Sequence, residues 1–326
     1  DVLGSRGLGD VYKRQILDFR KTKYITPEAI PVLLSFGDYL SRLYKRKIQI
    51  VYTRGSELHN FFMVSKFYEI SQKLDIFEWD DVSYEWYYKE LRKLHKISYT
   101  NIIYADVEKI KEPMQKRDFI SDCLRDRSKV IYQNVLSDTN KLPENIIGAT
   151  IDAIVEIETN AIMYSQSHSF TYVASDRYGT KISIADSGIG FKESFLRNKR
   201  ELKMVKKFQG VEKKFNNYLV IMSALNYSFE KHMESKRDDL WSLRTDIIKN
   251  NGTFKIQYEN TQVIFSCNRC KNCTQINGKK DISICVQCLM RQYSIDTYSP
   301  IKIFNIGFQG VRVEAVSYTH LTLPTT

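Results

Sequence analysis

The stretch that decides the fold runs from Pro143 to Phe191: PENIIGATIDAIVEIETNAIMYS over 143–165, then FTYVASDRYGTKISIADSGIGF over 170–191. In the first part Ile147, Ile151, Ile154, Val155, Ile157, Ala161 and Ile162 recur at helical spacing. That pattern predicts one long helix with a broad buried face. Glu156 and Asn160 lie four residues apart, so they stand one turn apart on the same side. A carboxylate and a carboxamide so placed can share a magnesium ion and its waters, because Mg²⁺ favours hard oxygen ligands. In the second part Phe170–Ala174 and Lys181–Ala185 alternate as strands around an Arg177-Tyr178-Gly179 turn. The second strand runs into Asp186-Ser187-Gly188-Ile189-Gly190. Its two glycines permit positive φ and close approach of backbone to a ligand. An aspartate at a strand end can accept a hydrogen bond from an exocyclic amine such as that of adenine.

The pair Glu156-x3-Asn160 followed by Asp186-x-Gly188-x-Gly190 resembles the GHKL ATPase superfamily, which includes gyrase, a heat-shock chaperone and histidine kinases. The resemblance implies an α/β fold, a two-layer α/β sandwich of the Bergerat type, binding ATP with Mg²⁺. It makes Asn160 the magnesium ligand, Asp186 the reader of the adenine amine, and Gly188 and Gly190 the shapers of the pocket. Glu156 takes the catalytic role of orienting water in members that hydrolyse ATP. One feature departs from the family. The glycine-rich segment expected before the helix at Leu243 is replaced by Lys236-Arg237-Asp238-Asp239-Leu240. Backbone N–H groups at a helix start ordinarily cradle phosphate. Here Lys236 and Arg237 offer charge instead, and Asp238 and Asp239 oppose it. Phosphate turnover is therefore a weaker expectation than nucleotide binding.

Towards the N-terminus, Ile16–Phe19 and Ile48–Tyr52 predict short strands. Thr26-Pro27-Glu28 predicts a helix start, with the helix running past Leu40, and Ser56 predicts a second start. This strand–helix alternation over residues 16–82 is similar to a STAS domain, a small α/β unit. Residues 83–142, rich in Lys, Glu, Tyr and Leu, read as a helical connector, and 143–315 as the ATPase-like domain. His95 lacks an acidic neighbour, so no autophosphorylating histidine is expected. The ends, DVLGSRGLGDVYKRQ (1–15) and VSYTHLTLPTT (316–326), break from their neighbours' periodicity and resemble sequencing-adaptor read-through. Both are set aside as artefacts.

Five of the six cysteines fall between Cys267 and Cys288. Two CxxC pairs at this spacing predict a closed, structural zinc knuckle inserted at 266–290, with an iron–sulfur cluster as the alternative. Cys270, Cys273, Cys285 and Cys288 are the preferred Zn²⁺ ligands, with Cys267 as the alternative.

The net charge is +11, with Lys192, Arg197, Lys199, Arg200, Lys203, Lys206, Lys207, Lys213 and Lys214 in one stretch. A solvated face and a phosphate-meeting lid both fit such a run. No apolar run reaches the roughly 18 residues of a membrane span. The expectation is a cytoplasmic ATP-binding signalling switch with a protein partner and no membrane contact. Homodimerisation and weak ATPase or Ser/Thr kinase activity stay open. The competing reading is a non-enzymatic, zinc-bearing module that binds nucleic acid and keeps a vestigial nucleotide pocket.

Overall fold

A computed structural model describes residues 16–79, 98–101, 112, 115–126, 144–165, 167–176, 179–235, 240–266, 282–296 and 298–318. The chain is mixed α/β. Three short strands, β1 (Ile16–Asp18), β2 (Ile48–Val51) and β3 (Phe77–Trp79), form a parallel sheet in that order. Parallel neighbours need crossover connections, supplied by helix α1 (Ile30–Tyr44) and by α2 (Glu57–Val64) with α3 (Phe67–Lys73). Thr26 stands at the predicted start, but its side chain makes no capping hydrogen bond. A single 3-10 turn, Pro27–Ala29, comes before α1. Ser56 does cap α2: its Oγ accepts from the His59 N–H at 3.1 Å. Phe62, Phe67 and Phe77 are fully buried among Ile30, Leu34 and Ile50. Each such side chain contributes about 1.5–3 kcal/mol.

The second sheet is antiparallel and has five strands, in the order β4-β5-β6-β8-β7. They are β4 (Ser98–Asn101), β5 (Ser169–Asp176), β6 (Gly179–Asp186), β7 (Thr253–Ser266) and β8 (Ile301–Tyr318). Two expectations change here. Ser98–Asn101 falls within the presumed helical connector, yet it pairs with Phe170–Val173 as the edge strand. β8 continues past Ala315, and Val316, Ser317 and Tyr318 pair with Lys181, Thr180 and Gly179.

One face of this sheet is covered by α5 (Glu144–Ser165), α8 (Asn216–Ser235) and α9 (Leu240–Lys249). Helix α4 (115–126) joins them, with Ile120 and Leu124 buried beside Ile147, Ile151 and Ile154. The strands obey period-two alternation. Val173, Ile182, Ile184, Val313 and Ala315 point into this core. Phe170 and Tyr172 point the other way, into the core that α1 shares with the parallel sheet. The N-terminal unit is therefore not simply appended. Its first helix lies on the second face of the five-stranded sheet, and Ser183 Oγ donates to the Glu28 carbonyl at 2.8 Å.

Candidate functional site

A cavity opens between α5, the end of β6 and α8, lined by Glu156, Asn160 and Asp186 among others. Its volume is about 150 Å³. Ile157, Ala161, Ile184, Phe191, Val311 and Val313 supply its apolar wall. The predicted helix (Glu156, Asn160), the second predicted strand (Ile184, Asp186) and Gly190 of the turn thus converge on one concavity, whose lining does not include Gly188.

Asp186 is buried, and its Oδ1 accepts from the Gly188 N–H at 2.9 Å. Burial pushes its carboxyl up to about 7, although the Gly188 and Val311 N–H groups and the nearby Arg42 pull the other way. Gly190 opens helix α6 (Gly190–Arg197) with φ +71°, and a Cβ there would stand 2.5 Å from the Tyr258 ring. Gly188 contributes its N–H to Asp186 and its carbonyl to Gln309, whose Nε2 donates at 2.7 Å.

Gln309 reaches the turn because β8 is bulged. Tyr258 pairs with Val311 but the next residue, Glu259, pairs with Phe308, so Gln309 and Gly310 are extra on the β8 side. Such bulges re-aim side chains beside functional sites. Gly310 takes φ +95°.

Behind the turn stands α1. Asp38 is 4% exposed, and its Oδ2 accepts from Ser187 Oγ at 3.0 Å and from Arg42 Nε at 3.0 Å. His168 Nδ1 lies 2.9 Å from Asp38 Oδ1, and Arg42 Nη2 donates to Ser187 Oγ at 2.8 Å. Burial alone would raise the Asp38 carboxyl, but His168, Arg42 and Ser187 together hold it below the ordinary value. Its stabilising effect is therefore present above the ordinary carboxylate pKa near 3.8 and is lost as pH falls through the folded value. Nothing in the local sequence signals this cluster, since Asp38 and Ser187 are 149 residues apart.

Glu156 and Asn160 meet as expected, with Asn160 Nδ2 donating to Glu156 Oε1 at 3.3 Å. A third group is present that the sequence does not signal. Arg117 on α4 donates from Nη1 to Asn160 Oδ1 at 3.2 Å and from Nη2 to Glu156 Oε1. The oxygens suit a hard cation in kind, and a guanidinium already stands on them.

The basic stretch after the turn folds into α6 and α7 (Lys203–Lys207), and carboxylates meet many of its charges. Arg197 pairs with Glu193, Lys203 with Glu230, Lys206 with Glu201 and Lys214 with Glu212. Arg200 lines the cavity. Its Cζ lies 4.4 Å from the centre of the Tyr227 ring, and Lys231 Nζ lies 4.9 Å from the same ring. Lys236–Asp239, the expected phosphate segment, lies outside the described residues.

Of the predicted zinc ligands, Cys285 and Cys288 lie on α10 (Ile282–Arg291), between β7 and β8. Cys285 is buried, and Arg244 Nη2 lies 3.9 Å from its Sγ. Cys267, Cys270 and Cys273 lie outside the described residues, among which no cluster of three or more His, Cys, Asp or Glu could hold a metal. Among those residues, no helix is long and apolar enough to cross a membrane.

No protein-family model, no curated protein and no solved structure matches the chain.

Proposed function

We propose that the cavity binds ATP and that the protein is a nucleotide-dependent regulatory switch of the GHKL type. The observation that carries this reading is the joint lining of one cavity by Asp186, Glu156 and Asn160, beneath an apolar wall suited to a purine ring. Asp186 supplies a buried carboxylate acceptor for the exocyclic amine, fixed by the Gly188 N–H. The N-terminal, STAS-like unit fits the switch role. Its Asp38 and Arg42 hold Ser187, the residue after Asp186, so occupancy of the turn and the packing of α1 are mechanically linked. A protein partner, cytoplasmic location and homodimerisation belong to the same proposal.

Binding is the core of the reading, and turnover is secondary. Glu156 can orient a water only when its carboxylate is not held by Arg117. Magnesium could take Asn160 Oδ1 only by displacing Arg117, and would then supply Lewis-acid stabilisation of phosphate charge. A zinc ion on Cys285, Cys288 and two of the three remaining clustered thiols would be structural. Buried Arg244, whose Nε has no hydrogen-bond partner among the described residues, supports it as a countercharge to thiolates.

Displacement of a fluorescent adenine nucleotide tests the base reading. ATP is expected to compete at least roughly tenfold better than GTP, because a site built around an amine rejects a base lacking it there. Equal competition by the two would refute the role given to Asp186.

A further inference from the structure

We propose that Arg117 is a tethered cation that stands in for a divalent metal, so that the pocket takes a nucleotide polyphosphate on side-chain cations without Mg²⁺. The inference rests on the nucleotide reading above and concerns how the charged end is held.

Three observations carry it. First, the Arg117 fork spans both acceptors that a metal would need. Nη1 is on Asn160 Oδ1 at 3.2 Å and Nη2 is on Glu156 Oε1. A guanidinium is planar, permanently charged and rigid in its donor geometry, so it matches two acceptors one helical turn apart. Magnesium requires oxygen ligands at ~2.0–2.1 Å in near-ideal octahedral order. It and the guanidinium therefore exclude each other at these oxygens.

Second, Arg117 is placed by packing. It shares a face of α4 with Ile120 and Leu124, three and seven residues on, both buried in the main core. The side chains of Arg117 and Glu156 are only 16% and 19% exposed. Removing Arg117 would leave a largely buried carboxylate uncompensated.

Third, the cavity lining itself carries two cations, Arg200 and Lys231. Arg200 and Lys231 both approach Tyr227, which holds them at the cavity rather than on the surface. With Glu156 paired to Arg117, Arg200 and Lys231 face Asp186 among the charged groups of the lining. The two cationic charges suit the oxygens of a di- or triphosphate.

The test is equilibrium binding of ATP to the full chain, in excess EDTA and in excess Mg²⁺, for the wild type, Arg117→Ala and Arg200→Ala. Circular dichroism confirms that each is folded. The wild type is expected to bind equally well with and without the metal. Arg117→Ala is expected to lose at least about tenfold in EDTA and to recover on adding Mg²⁺, the metal entering the vacated position. Arg200→Ala is expected to weaken ATP more than adenosine. Wild-type binding that requires Mg²⁺ would overturn the inference and leave the nucleotide reading intact. Wild-type protein that binds no ATP under either condition would overturn both. If Arg117→Ala does not fold, the wild-type comparison decides alone.

Discussion

Replacing Gly310 by alanine is expected to destabilise the protein by about 3–5 kcal/mol and to abolish ATP binding with it. Gly310 sits in the β8 bulge at φ +95°, a conformation that L side chains rarely adopt. A Cβ built there would lie 2.0 Å from the Asp186 carbonyl oxygen and 2.9 Å from Ser187 Cα. Those are backbone atoms of the turn itself, so no side chain can rotate aside. Either the bulge opens, which withdraws Gln309 from Gly188 and the Val311 N–H from Asp186, or the turn moves. Denaturant unfolding checks this. A variant within about 0.5 kcal/mol of wild type, the usual span of neutral surface substitutions, would show that the strand and turn are not in such close contact.

Replacing Asp186 by asparagine is expected to weaken ATP by roughly a hundredfold while stabilising the empty protein above neutral pH. An amide can still accept from the Gly188 N–H, but it turns a donor towards the adenine amine. The stability effect follows from burial, which lifts the Asp186 carboxyl from 3.8 to about 7. A group raised on folding favours the folded state fully below its unfolded value. That advantage is lost as pH rises towards the folded value. Ionised Asp186 therefore costs the empty fold at pH 8, and asparagine escapes the cost. The gain of Asp186→Asn over wild type should grow between about pH 4 and pH 7 and then level off. Binding runs in the opposite sense. The amine needs the carboxylate, so wild-type affinity should fall as pH drops below about 7, with proton release from Asp186 on binding. Calorimetry in buffers of different ionisation enthalpy reads that release. Its persistence in Asp186→Asn would assign it elsewhere.

The parts of the site legible in the sequence are those set by short-range pattern. Helical spacing puts Glu156 and Asn160 on one side of α5, and strand alternation delivers Asp186 to the end of β6. What the sequence does not reveal is set by distance along the chain. Arg117 is one of 49 Lys and Arg residues, in a stretch with no motif. Only the packing of Ile120 and Leu124 against α5 gives it meaning. β4 is four polar or aromatic residues, Ser-Tyr-Thr-Asn, with no apolar alternation to signal a strand, and only its pairing with β5 reveals it. The β8 bulge is likewise invisible. Ile301–Phe304 and Phe308–Glu314 read as two strands, and only the register against β7 shows that Gln309 and Gly310 interrupt a single one. The placement of α1 on the second face of the large sheet depends on Phe170 and Tyr172, which a reading of β5 alone leaves without a partner.

The central claim is that this cavity holds a nucleotide, and calorimetric titration of the folded full chain with ATP at pH 8, where Asp186 is ionised, tests it most directly. The account predicts a saturable isotherm with one ATP per chain that collapses in Asp186→Asn. A folded wild-type protein that gives no saturable heat and no thermal stabilisation at millimolar ATP, with or without Mg²⁺, would contradict it.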